Sequence, residues 1–188
     1  MVAKASIIEI YARADAAGKV DIICKNYSNF IGIVDGYTEG LRYMIESEKA
    51  YNRKKNHGDL GVWVQTSGIY SDITADTAIS NVITRDVIIA CDFSGDVLEG
   101  VDRGEKYRKD AYTLRRMRAD YELFNQQLCI LGRNELRIFR GYLSGEKDIG
   151  EIAEEEGIEL SSLCGKRECF LFQVLKNGSL LIAGSDKR

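Results

Sequence analysis

From Ile23 onward apolar residues return in alternating steps of four and three: Ile23, Tyr27, Phe30, Val34, Tyr37, Leu41, Met44 and Tyr51, with Glu48 the one polar residue where an apolar one is due. This is a heptad seam of about four repeats, and at 1.5 Å per residue it makes a rod of roughly 40 Å. A second seam starts at Tyr107 and runs through Leu114, Met117, Tyr121, Phe124, Leu128 and Leu131, with Asp110 its polar intruder. Both need cover. An antiparallel helical hairpin or a zipper across a dimer supplies it most simply, and a compact bundle burying the same faces internally is the alternative. The chain has eighteen glycines and no proline, so glycines and polar loops must interrupt its helices.

The segments around the seams read as shorter helices. Ser6 to Ala17 is apolar-periodic through Ile7, Ile8, Ile10, Tyr11 and Ala14, and Gly18 is the expected stop. The polar run "ESEKAYNRKKNHGD" ends the first long helix near Gly58, and a loop through Gly61 and Gly68 follows, anchored by Trp63 and Val64. Thr74 is a suitable N-cap for a helix whose inward stripe is Ile79, Val82, Ile83, Ala90, Phe93 and Val97, with a kink expected at "FSGDVLEG". Gly132 closes the second seam. "RNELRIFRGYLSG" then makes a short helix with Leu136, Phe139 and Leu143 on one face, ended at Ser144-Gly145.

The residues after Gly145 carry the clearest functional pattern. Asp148 with Glu151 three places on has the form of a capping box opening a helix with Ile149, Ile152 and Ala153 inward. Gly157 follows Ala153 by four residues and Leu163 follows it by ten. That is helix-turn-helix spacing: a small residue lets two helices cross closely, glycine takes the positive φ of the turn, and an apolar residue anchors the second helix. The acidic first helix would sit behind with its carboxylates in solvent, while the second, from about Leu160, presents Ser161, Ser162, Lys166 and Arg167 to a DNA groove. Upstream, Arg103 to Arg118 holds seven basic residues against Glu105 and Asp110, and Arg108, Arg115 and Arg116 are candidate phosphate contacts. A solvated coiled-coil flank is the other reading of that run.

Composition narrows the class. The 188 residues, 45% of them apolar and 29% charged, suit one sizeable domain or two small ones, with no run long enough to span a bilayer. No charged start followed by an apolar stretch marks secretion, so a cytoplasmic protein is expected. Five scattered cysteines without a CxxC, and the single histidine His57, support neither a disulfide framework nor a metal site. The formal charge of −3 argues against nonspecific coating of nucleic acid and leaves room for a local basic face. An all-helical nucleotide pyrophosphohydrolase would need an ExxE before an ExxD, and only Glu99-x-x-Asp102 is present.

The stretch "RNELRIFRGYLSGEKDIGEIAEEEGIELSSL" resembles region 4 of sigma factors as it recurs in small phage and prophage regulators of the RinA and ArpU kind. "VQTSG" at Val64 to Gly68, followed by Ser71-Asp72 and a long helix, is similar to a segment before the helical linker of that group. The resemblance covers roughly Val64 to Lys176 and implies a transcription regulator that binds double-stranded DNA through its second helix-turn-helix helix, with RNA polymerase as an implied further partner. Ser161, Ser162, Lys166 and Arg167 fall in that recognition segment, where "LCGKREC" replaces a richer basic and polar run.

The sequence therefore predicts an all-α protein. A long helical hairpin or coiled-coil-like part spans 1–131, a sigma-region-4-like helix-turn-helix spans 132–178, and a tail spans 179–188. The expected function is sequence-specific DNA binding in phage or prophage regulation, as a homodimer, with no catalysis, cofactor, metal or membrane. The competing reading is a helical protein–protein interaction protein whose helix-turn-helix does not bind DNA.

Overall fold

The computed structural model describes residues 6–56, 73–145 and 147–157, together with Glu159, Ser162 and Gly165. Its helices are α1 (Ile7–Arg13), α2 (Ala16–Lys25), α3 (Phe30–Asn56), α4 (Ile73–Ala90), α5 (Gly104–Leu128), α6 (Arg133–Ser144) and α7 (Ile149–Glu156), with 3₁₀ turns at Tyr27–Asn29 and Asp96–Leu98. The all-α class is as expected, and no strand occurs among the described residues. No helix among them is long and apolar enough to cross a membrane. His57, the expected stop near Gly58, the loop through Gly61, Trp63, Val64 and Gly68, the Ser71-Asp72 pair and the 179–188 tail lie outside the described residues.

The chain forms two compact units, one of Met1–Gly32 with Met117–Arg188 and one of Ile33–Arg116. In the first, the Ser6 hydroxyl accepts from the Glu9 N–H while the Glu9 carboxylate accepts from the Ser6 N–H, a capping box that starts α1. The helix ends at Ala14, whose backbone is extended, and Asp15 caps α2 by accepting from the Gly18 N–H at 2.8 Å. Gly18 is thus not the stop expected from the sequence but the third residue of a new helix. A Cβ there would lie 3.2 Å from both the Ala14 Cβ and the Asp15 carboxylate, so the tight α1–α2 corner uses the missing side chain.

Aromatic rings fill this unit. Phe30, fully buried, stacks on Tyr121 with centroids 5.3 Å apart, and Tyr27 leans on Tyr121 and Phe124 at 5.7 and 5.9 Å. The hydroxyls are satisfied as the rings are buried: Tyr11 donates to Asp120 at 2.9 Å, Tyr27 to Asn125 at 2.8 Å and Tyr121 to the Tyr27 carbonyl at 3.2 Å. The second seam is buried largely as written, at Tyr107, Leu114, Met117, Phe124 and Leu128, with Ala111 added, while Leu131 falls in the turn beyond α5.

The first seam is only half right. Ile23, Phe30, Val34 and Leu41 are buried, but Tyr37, Met44 and Tyr51 are exposed, and Thr38 and Ile45 lie inside in their place. Shifting one row by a single residue turns it about 100° around the helix, so the buried face includes polar positions that an apolar count rejects. Each is satisfied. The Thr38 hydroxyl donates to the Val34 carbonyl at 2.8 Å. The Glu48 side chain, 9% exposed, accepts from the Asp102 and Arg103 N–H groups at 2.9 and 3.1 Å, from the Arg103 guanidinium at 3.1 Å and from the Tyr107 hydroxyl. The seam's polar intruder therefore supplies a carboxylate to the start of α5, where unpaired N–H groups and the helix dipole favour negative charge.

Helix α4 reverses the expectation. Its apolar stripe faces out, with Ile79, Val82 and Ile83 at 57%, 59% and 50% exposure, while Thr84 and Ile88 are buried at 1%. The cause is the face that α3 offers it, which is Glu39, Arg42 and Glu46. Arg85 pairs with Glu39 at 2.7 Å, Arg42 donates to Asn81 at 2.7 Å, and Thr84 donates to Glu46 at 2.5 Å. The polar side of α4 thus meets the polar face of α3, where Thr84, itself buried, needs the acceptor that Glu46 supplies. Thr74 lies within α4 and is not its N-cap. At "FSGDVLEG" the chain does not kink but leaves the helix, through Cys91 at φ 54° and the Asp96–Leu98 turn, before α5 begins.

Two measurements test this arrangement. The Glu48 carboxyl titrates below the usual carboxylate range, mainly because the Tyr107 hydroxyl donates to it, while burial and that same bond push the Tyr107 phenol up to about 12. A depressed carboxyl stabilises the fold above its unfolded pKa of roughly 4.3, and this contribution is lost as pH falls through the lower folded value. Glu48→Gln should reduce unfolding free energy at pH 7 by about 1–3 kcal/mol and flatten the acid limb of the stability curve; an unaltered acid limb would refute the role. On α4, Ile83→Ala should change stability by less than about 0.5 kcal/mol, whereas Thr84→Ala should cost about 1–3 kcal/mol in denaturant unfolding, the reverse of their hydrophobic ranking.

Candidate functional site

Among the described residues, the C-terminal part of the first unit is built from α6 and α7. Glu135 starts α6 by accepting from the Gly132 N–H at 3.4 Å, and Gly145 ends it in the left-handed region at φ 71°. Glu151 likewise accepts from the Asp148 N–H at 3.0 Å at the head of α7, and Gly157 ends that helix at φ 62°. Two left-handed glycines twelve residues apart thus bound the second helix and its loop, which fits the preference of that conformation for a residue without Cβ. Ile152 and Ala153 are buried against Ile138 of α6, with Tyr142 packed on the cluster. Ala153 is thus buried where α7 meets α6, and Gly157 is the left-handed residue that ends α7.

The acidic face of α7 is less solvated than the sequence suggested. Glu151, Glu154 and Glu155 are exposed, Glu155 pairing with Lys147 at 2.5 Å, but Glu156 is only 16% exposed and pairs with Arg137 of α6. The Arg137–Glu156 pair joins α6 to α7 and the Lys147–Glu155 pair joins the connecting loop to α7, and all four residues line a cleft of about 610 Å³ between α6, α7 and Tyr27. Its floor is apolar, from Leu136, Ile138, Gly141 and Ile152, and Arg133 and Arg140 complete its basic rim. Burial raises the Tyr27 phenol pKa, and the neighbouring Arg140 opposes that rise.

Of the expected recognition residues, Ser162 is helical and exposed, while Ser161, Leu163, Lys166 and Arg167 lie outside the described residues. The three arginines expected at phosphates belong to α5 in the other unit. Arg108 lies 3.9 Å from Glu105 and its guanidinium is 6.0 Å from the Phe93 ring centre. Arg115 donates to the Ala90 carbonyl at 3.0 Å, which closes the end of α4, and Arg116 is half-buried with an interaction of its own. In the loop before α5, Asp102 of the Glu99-x-x-Asp102 half-motif accepts from the Asn52 amide at 3.3 Å.

The cleft is the feature that sequence reading missed. Its one visible signal was the placing of Arg133, Arg137 and Arg140 at i, i+4 and i+7, which puts three cations on one face of α6. The 3₁₀ turn that forms its third wall lies more than a hundred residues earlier in the chain, and no local pattern announces it. No family model, no curated protein and no solved structure matches this chain.

Proposed function

We propose that this chain is a sequence-specific DNA-binding regulator of phage or prophage type, acting in the cytoplasm without catalysis or cofactor. The observation that carries the reading is the α6–α7 pair. A short helix opened by Asp148 and Glu151 buries Ile152 and Ala153 on Ile138 and ends in a left-handed glycine, as the first helix and turn of a helix-turn-helix require. The recognition function belongs to the segment after Gly157, with Ser161 and Ser162 near its start and Lys166 and Arg167 as its cations. Hydroxyls and exposed N–H groups at the start of such a helix reach phosphate or base edges, and the two cations supply the salt-dependent attraction. RNA polymerase is a further partner on the resemblance to sigma region 4.

A homodimer completes the reading, because two such helices related by a twofold axis meet half-sites about 34 Å apart. A second reading has one observation in its favour: the aliphatic face that α4 turns outward suits a helical interaction protein that does not bind DNA.

Selection from a random duplex pool at low salt decides between them. The regulator reading expects enrichment of a defined site and a linear fall of log K with log salt. Lys166→Ala with Arg167→Ala should then reduce the slope by about one for each lost phosphate contact. No enrichment and no gel shift, together with a stable crosslinked assembly, would overturn it in favour of the interaction protein.

A further inference from the structure

The cleft between α6 and α7 has features that a helix-turn-helix scaffold does not need. Its basic rim carries four cations and its acidic wall two carboxylates, and both carboxylates are already engaged, Glu156 by Arg137 and Glu155 by Lys147. Two positive charges are left over. Arg140 is exposed beside the Tyr27 phenol, and exposed Arg133 has no carboxylate partner among the described residues. Below them the floor is apolar, and it is open where Gly141 has no side chain, since a Cβ built there meets nothing within 4 Å.

We propose that this cleft is a binding site for a small ligand that carries an oxyanion, phosphate or carboxylate, on a flat apolar body. Guanidinium groups are planar forks that match the geometry of either oxyanion, and Arg133 and Arg140 stand two turns apart on the same side of α6. The apolar floor accepts the body of the ligand, and the volume of about 610 Å³ falls within the range of small-molecule sites. The buried packing of Ile138 on Ile152 and Ala153, with the Arg137–Glu156 pair beside it, joins α6 to α7, so the site does not have to assemble when the ligand arrives. A duplex backbone fits the same charges poorly, because phosphates strung along a rod cannot bring an apolar group to the floor. This site uses none of the residues proposed to read DNA.

Calorimetric titration of the full chain with phenyl phosphate, benzoate and inorganic phosphate tests the proposal. Phenyl phosphate or benzoate should bind once per chain and at least about tenfold more tightly than inorganic phosphate, since burying a ring adds apolar contact that the bare ion lacks. The stronger of the two identifies which oxyanion the arginines prefer. Arg133→Glu with Arg140→Glu should lower that affinity at least tenfold, while Arg108→Glu in the other unit leaves it unchanged. Gly141→Leu gives an arm that does not depend on a damaged fold: it fills the floor, should abolish binding of the aromatic probes, and replaces a helix-interior glycine, so the melting temperature should not fall. Ring-bearing probes no tighter than inorganic phosphate, or a Gly141→Leu chain that still binds them, would overturn the assignment. Duplex binding that disappears in the double arginine variant, with aromatic probes unaffected, would also overturn it by giving those arginines to the DNA backbone. The DNA reading itself stands or falls separately, on Lys166 and Arg167.

Discussion

A carboxylate at a core position of a helix must find donors or the helix cannot stay where it is, and in the unit of Ile33–Arg116 that requirement is met at Glu48. Four donors converge on it: two backbone N–H groups and a guanidinium from the start of α5, and the hydroxyl of a buried tyrosine one turn into that helix. Such a constellation fixes register in a way that apolar seams do not. Leucine and isoleucine tolerate sliding by a fraction of a turn, whereas a buried ion separated from its partners is penalised by several kcal/mol. The rotation of α3 that buries Thr38 and Ile45 and exposes Met44 and Tyr51 follows from this. It is the rotation that brings Glu48 to the head of α5.

The same logic separates the legible from the illegible parts of the sequence. The second seam could be read because its inward residues are apolar, from Tyr107 to Leu128. The first could be read at Ile23, Phe30, Val34 and Leu41, but beyond Phe30 one of its rows fails, because the inward position is Thr38 and periodicity of apolar residues scores a satisfied polar residue as a failure. Helix α4 shows the limit most clearly. Its Ile79, Val82 and Ile83 mark a stripe without ambiguity, yet the stripe faces outward, and it is Asn81, Thr84 and Arg85 that meet Glu39, Arg42 and Glu46 of α3. Amphipathicity identifies which faces differ. Only the neighbouring helix decides which of them is covered.

Local signals fared better where the physics is local. The boundaries at Gly145 and Gly157 were readable because a left-handed residue selects glycine irrespective of tertiary context, and the Asp148–Glu151 pair because both partners lie within one turn. Gly18 misled for an equally physical reason. Glycine serves close approach as well as termination, and at the α1–α2 corner the approach to Ala14 and Asp15 is what requires it. A glycine in a sequence thus states that a side chain is unwelcome, without stating whether backbone conformation or a neighbour excludes it.

Charge obeys a corresponding rule. The run from Arg103 to Arg118 is the most basic stretch of the chain and drew attention as a phosphate track, but several of its members act inside the fold: Arg103 on Glu48, Arg108 beside Glu105 and Phe93, and Arg115 on the last carbonyl of α4. The segment from Arg133 to Glu156 is acidic by count, with Glu135, Asp148, Glu151, Glu154, Glu155 and Glu156 among its residues. Geometry nevertheless separates its signs, because the carboxylates of Glu135 and Glu151 are engaged at helix starts and those of Glu155 and Glu156 in ion pairs. What faces the cleft between α6 and α7 is the remainder, two guanidinium groups over an apolar floor. The chemistry available to a ligand is set by the charge that folding leaves uncompensated, and at this cleft that charge lies on α6, at Arg133 and Arg140.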